Sequence, residues 1–201
     1  MRSWKIFVPA LLACLLVVPM ADAAKGDFTF GLQGGLSVPT GDYGKDTKSG
    51  FVGGVYGDYM VHEMFAVGVD ASYNKHDGKD LPAGVEATNT IMQFGAHGKW
   101  MPQMQDSPVS PFVQVGGGFY NSKAEVTVGS VSADTTVNKF GFNLGAGLDY
   151  KATPQVNVGV FGNYHNVMDA WEDVAGEKKS ATYFTAGVRV TFMTTGATGG
   201  E

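Results

Sequence analysis

The chain has 201 residues, which suits a single domain. Only 16% of them are charged, against ~25% in an average soluble domain, while Gly occupies 29 positions, about twice its usual ~7% share, and aromatics make up 12%. This composition argues against disorder and a helical bundle, the near-zero mean hydropathy of −0.03 argues against a bundle of membrane helices, and a net charge of −5 gives no basic footprint for a nucleic-acid partner.

The first element in chain order is an export signal. Arg2 and Lys5 precede an apolar run over residues 6–18, broken by Pro9, and Ala21-Asp22-Ala23 supplies a small-x-small cleavage site. The run is shorter than the ~20 residues a spanning helix needs. The single cysteine, Cys14, lies inside it. Leu12, where a lipoprotein signal carries a small residue, and the apolar residues 15–18 beyond argue against lipidation. The expected division is therefore a signal peptide at 1–23, cleaved after Ala23, a β-barrel at 24–193, and a short flexible tail at 194–201.

Period-two alternation dominates everything after the signal and marks strands with two unlike faces. Eight runs are predicted, at 27–39, 50–61, 64–75, 89–101, 111–124, 137–151, 155–167 and 181–193. Phe140, Phe142, Leu144, Ala146, Leu148 and Tyr150 share one face of the sixth run, and Lys139, Gly141, Asn143, Gly145, Gly147 and Asp149 share the other. Each run meets or slightly exceeds the ~9–11 residues of a tilted membrane strand. The connections at 61–64 and 152–155 are short, and 101–111 is intermediate. Those at 40–49, 76–88, 122–136 and 168–180 are long and polar. Long loops on one side and shorter turns on the other predict an all-β fold, an eight-stranded antiparallel up-and-down transmembrane barrel. The third long connection itself alternates, as a hairpin standing beyond the membrane would, and 168–173 could form one helical turn.

Ring placement predicts which face meets lipid. Tyr43, Tyr59, Tyr73, Trp100, Tyr150, Tyr164 and Phe192 sit at or near run ends, most on the apolar face, as girdles at the lipid headgroups require. The polar face carries Asp58, Asp70 and Asp149 against Lys99, Lys139 and Arg189. Eight strands enclose only enough space for side chains, so these three acids and three bases are expected to form a lumenal ion-pair network.

The stretch Pro111-Phe-Val-Gln-Val-Gly-Gly-Gly118, the run Asn143-Leu-Gly-Ala-Gly-Leu-Asp-Tyr150, the turn Ala152-Thr-Pro154 and the final Gly187-Val-Arg-Val-Thr-Phe192 resemble the outer-membrane barrels of the OmpA-like, OmpX/Opa-like and OmpW-like families. The resemblance spans the whole chain after the signal. It implies a location in the bacterial outer membrane, contact with its lipid, and delivery by the barrel-assembly machinery through a terminal aromatic. Phe192 fills that last role, with nine residues following it.

Chemistry-bearing motifs are weak. His62, His76, His97 and His165 have no metal-ligand spacing, so neither a metal nor a cofactor is expected. The histidines read as loop or turn groups at 62 and 76 and lumenal groups at 97 and 165. Ser72, His97 and Asp70 offer residue types for a hydrolytic triad, but on a lumenal face that lipid cannot reach. Gly34-Gly35, Gly53-Gly54 and Gly116 to Gly118 lie in strand-like runs and have no following helix to make a phosphate loop. The expected role is non-catalytic: structural, or surface interaction through long loops that meet a host or matrix ligand. The alternatives are a channel for small solutes or hydrophobic compounds like OmpW-like barrels, with Val52, Tyr56 and Phe161 as its apolar lining, and a soluble periplasmic lipocalin-like binder.

Overall fold

The computed structural model describes residues 25–102, 107–172 and 176–194. The expected signal peptide, Cys14 and the tail beyond Thr194 lie outside these. Eight strands follow in chain order: β1 (Phe28–Thr40), β2 (Gly50–His62), β3 (Phe65–Asp77), β4 (Val85–Trp100), β5 (Val109–Val128), β6 (Val131–Lys151), β7 (Val156–Glu172) and β8 (Lys178–Thr194). Each pairs antiparallel with its sequence neighbours, and β8 closes onto β1, so the sheet is a closed barrel. Closure leaves no sheet edge within the ring.

At the short-turn end the strands match the predicted runs within two residues. At the long-loop end three of the four hairpins, β3–β4, β5–β6 and β7–β8, run further. β5 and β6 pair out to Val128 and Val131, joined by the two-residue turn Gly129-Ser130, with Gly129 at φ 61. A glycine at the first central position of such a turn fits the twist of the flanking strands. In place of the helical turn expected at 168–173, residues 168–172 are strand. Trp171 pairs with Lys179 and Glu172 with Lys178, and a register shift after Val167 absorbs the extra residues, with Asp169 at φ 51. Cross-strand pairing with β8 overrides the local preference, and a bulge takes up the mismatch.

Burial sorts the two faces as a membrane barrel requires. The outward side chains are apolar and exposed, among them Leu36 (64%), Phe94 (61%), Phe119 (68%) and Val188 (61%). The inward ones include Asp58, Gln93, Lys99, Asn143 and Arg189, all buried. A soluble lipocalin-like barrel has the opposite polarity, so that alternative falls. Rings gather in two belts. Near the short turns Phe28 packs on Tyr59 at 4.9 Å and Phe30 stacks on Phe192 at 5.1 Å, while Phe65 pairs with Trp100 and Tyr150 is exposed. Toward the loops lie the pairs Phe51–Tyr73 (6.0 Å), Tyr164–Phe184 (5.1 Å) and Phe119–Phe140 (6.0 Å). Tyr43 departs from its expected place. It is buried, turned into the barrel mouth against His76 and Trp171.

Glycines on inward positions make room for large lumenal groups. Gly31 pairs with Tyr56, and a Cβ at position 31 would overlap the Tyr56 ring. Gly31→Val is therefore expected to push Tyr56 off Thr191, whose hydroxyl it meets at 2.5 Å. The cost is about 1–3 kcal/mol for an overpacked interior, read as a lowered urea midpoint for the refolded barrel.

Candidate functional site

The lumen is the first place to look for a site, and it is filled in two layers. The layer nearer the short turns is ionic. Arg189 on β8 donates through Nε to Asp149 Oδ1 on β6 at 2.7 Å and through a second guanidinium nitrogen to Oδ2, a two-pronged pair with both residues buried. Lys99 on β4 donates to Asp58 on β2. Between the two cations lie Phe112 and Tyr56. The Arg189 guanidinium sits 3.7 Å from the Phe112 ring centre, and the Lys99 ammonium 4.8 Å from that of Tyr56. His97 bridges two acids, with Nε2 2.7 Å from Asp58 Oδ1 and Nδ1 3.0 Å from Asp70 Oδ1. Each ring nitrogen therefore faces a carboxylate oxygen on a neighbouring or next-but-one strand. Gln93 donates to the other Asp70 oxygen at 2.5 Å.

The second layer, toward the loops, is aromatic and contains histidine. Tyr183 and Tyr120 are fully buried and cluster with Tyr43, Ile91, Val167 and Ala181. His165 stacks flat on Tyr183 at 4.6 Å and shares hydrogen bonds with Tyr120 (3.2 Å) and Thr185 (3.2 Å). His76 meets Ser37 Oγ at 2.8 Å and the Tyr43 hydroxyl at 3.4 Å. Burial pushes the Tyr43 phenol above its ordinary pKa range. Between the layers lies a cavity of about 10 Å³, lined by Gln33, Gln93, Gln114, Asn143 and Asn163 among others. That is room for about one water molecule.

The expected site residues divide accordingly. Asp58, Lys99, Asp149 and Arg189 come together in two ion pairs, and Asp70 joins through His97. Lys139 does not. It is half-buried above this layer, opposite Tyr120 in the register, and makes no ion pair among the described residues. Three acids still meet three bases, with His97 as the third. His76, expected in a loop or turn, is the last inward residue of β3 and is buried in the barrel, while Asp77, which ends the strand, is exposed. His62 is exposed at a turn. Ser72 donates to Gln93 Oε1 at 2.9 Å rather than to His97, so nucleophile and base are not paired. Of the apolar lining proposed for a channel, Val52 and Phe161 pack against Phe112 as a local cluster, and Tyr56 lies under the two cations. The glycine clusters all lie within β1, β2 and β5.

Beyond the barrel rim, β4, β5 and β6 continue as a three-stranded sheet. β7 pairs with β6 only from Gly141 inward. Among the described residues, the β7-facing side of β6 from 131 to 140 therefore has no strand partner. Along this sheet the polarity of the two faces inverts. In the membrane the outward row is Phe94–Phe119–Phe140, and further out it becomes Thr90–Lys123–Thr136, then Thr88–Glu125–Asp134. The Asn121–Asn138 hydrogen bond (2.7 Å) marks the changeover. On the inward side the rows become Ala87–Val126–Ala133 and Val85–Val128–Val131.

This architecture, a closed eight-stranded barrel with an apolar exterior, is that of a small bacterial outer-membrane protein. The chain belongs to the outer membrane protein β-barrel domain family, whose model matches residues 10–192. Among solved structures it is similar to Neisserial surface protein A (TM-score 0.57, 17% identity, covering 82% of this chain and 96% of that one). It is also similar to Ail, the attachment invasion locus protein of Yersinia pestis, in complex with the heparin analogue sucrose octasulfate (TM-score 0.54, 14% identity, 84% and 99% covered). The N-terminal β-barrel domain of Pseudomonas aeruginosa OprF is a third (TM-score 0.50, 15% identity, 84% and 98%). At these identities the likeness is one of fold. No curated protein sequence matches.

Proposed function

We propose that this protein is a non-catalytic surface barrel that acts through its extracellular loops and hairpins, not through its lumen. The observation that carries this reading is the filled interior. An ionic layer and an aromatic layer leave a cavity of about 10 Å³ between them, where a solute path would need continuous open space. The partner class is a host or matrix ligand outside the cell, with lipid around the barrel and the barrel-assembly machinery engaging the terminal Phe192 during insertion.

Ail, by comparison, is described in complex with a heparin analogue. A barrel of this fold can thus present a ligand site. The ligand here differs in charge. Asp42, Asp46, Asp77, Asp80, Glu86, Asp169, Glu172, Asp173 and Glu177 outnumber the lysines of the same segments, Lys45, Lys48, Lys79, Lys178 and Lys179. Some of these pair locally, as Lys45 does with Asp42 at 2.6 Å. An acidic excess favours neutral or basic partners over sulfated polyanions.

Planar-bilayer recording from the purified, refolded protein tests the reading. The expected result is no stable large conductance. A stable large conductance would overturn it in favour of the channel. In parallel, non-adherent cells displaying the barrel are expected to gain attachment to a host extracellular matrix. Failure to gain attachment counts against the surface role.

A further inference from the structure

The projecting β4–β5–β6 sheet has two features that point to one kind of occupant. The first is its open edge. From Val131 to Phe140, β6 has no partner on the β7 side among the described residues. In an antiparallel ladder every second residue directs its N–H and C=O to a given side, so about five residues offer backbone donors and acceptors there. Natural edges are blunted with proline, bulges or several charges. Between 131 and 140 this one has neither proline nor a register shift, and Asp134 and Lys139 are its only charges.

The second feature is the pair of unlike faces. On the side continuous with the lumen, the rows Ala87–Val126–Ala133 and Val85–Val128–Val131 are wholly apolar, and Val126, Val128 and Val131 are 44%, 56% and 71% exposed. The row Asn89–Ala124–Thr135 separates this shelf from the buried Ile91–Tyr120 cluster at the mouth. The other side carries Glu86, Glu125 and Asp134 and a single cation, Lys123, which lies 3.2 Å from Glu125 and 3.7 Å from Asp134.

We propose that the open edge of β6 is a strand-addition site for an extended segment of a partner protein, one whose side chains alternate between apolar and neutral or basic. Backbone groups of the segment would complete the ladder, its apolar side chains would lengthen the two apolar rows, and its other side chains would meet the acidic face. This is recognition by β-augmentation, in which main-chain bonds give affinity and alternate side chains give specificity. The inference rests on the surface-interaction reading above and names its partner chemistry.

The test uses the full barrel in lipid nanodiscs and a labelled nonapeptide of alternating Val and Thr with one central Lys. A peptide of the same composition in scrambled order is the control. Saturable binding of the alternating peptide is expected, weaker by about tenfold or more for the scrambled peptide and for Thr136→Pro, whose N–H faces the open side. Val131→Lys, which charges the shelf without touching the backbone, gives the same loss and guards against a Pro variant that fails to close. Heat-modifiable gel mobility verifies closure of each. No binding, equal binding of the scrambled peptide, or unchanged binding by both variants overturns the proposal. Dimerisation of the barrel without peptide, lost in both variants, also overturns it and gives the edge to a second copy. Matrix attachment that survives both variants removes this inference and leaves the surface reading standing, whereas no attachment by the unaltered protein removes the surface reading itself.

Discussion

Asp149→Ala is expected to lower the unfolding free energy of the refolded barrel by about 3–5 kcal/mol, the cost of stranding a buried charge. Arg189 is 3% exposed and donates two hydrogen bonds to this one carboxylate. Its other close neighbours are the Phe112 and Tyr56 rings, which attract the cation but accept no strong hydrogen bond. Removing Asp149 therefore leaves a desolvated guanidinium, and water has little room to replace the carboxylate. The double variant Asp149→Leu with Arg189→Met separates the value of the pair from the cost of breaking it. Replacing both partners by apolar groups of similar volume is neutral or stabilising by about 1–4 kcal/mol in comparable buried pairs. Urea titration followed by tryptophan fluorescence and by heat-modifiable mobility measures all three proteins. A single variant no less stable than the parent would show that water, or another acid, reaches Arg189.

How far the sequence alone reached follows from what alternation encodes. A period of two specifies which residues share a face, so Asp58, Lys99, Asp149 and Arg189 were legible as one lumenal set before any pairing was known. Alternation does not specify height along the barrel axis, which depends on strand tilt and shear. That is why Lys139, on the correct face, was expected in the network. Its register partner is Tyr120, in the aromatic layer, and the acids lie below. His97 was legible only as a lumenal polar group, because a bridging role requires Asp58 and Asp70 to flank it from two strands on one side. A nearer signal existed for Gly31 and Gly147, since an inward glycine opposite a large inward ring on the next strand is a pairing that sequence can suggest once the hairpin turn is fixed. The rim was least legible. Polarity inverts there while the period continues, so a face reading carried straight up from the membrane assigns the wrong environment to Val126, Val128 and Val131. Tyr43 misleads for a related reason: it lies in a loop, where no period constrains it, and its ring turns inward to cover His76.

Tyr183→Ala is expected to cost about 3–5 kcal/mol, as truncation of a fully buried aromatic does, and yet to leave the barrel without conductance. Tyr183 touches both histidines of the upper layer, stacking on His165 at 4.6 Å and meeting His76 edge-on at 6.0 Å. Its loss empties the centre of that layer. The lower layer is held independently, by Asp149–Arg189 and Asp58–Lys99 around Phe112 and Tyr56, with no member shared between the two. Two closures in series pass ions only when both are open, so the aromatic layer can be hollowed out while the ionic layer still blocks the path. Conductance is expected only when Tyr183→Ala is combined with truncation of Phe112 and Arg189 in the same chain. The decisive comparison is single-channel recording of Tyr183→Ala beside the combined variant, each first shown by gel mobility to be a closed barrel. Openings in Tyr183→Ala alone would place the whole barrier in the aromatic layer and return the lumen to the list of candidate pathways. Silence in the single variant with openings in the combined one would establish that the charged layer, which makes the interior so costly to disrupt, is also what seals it.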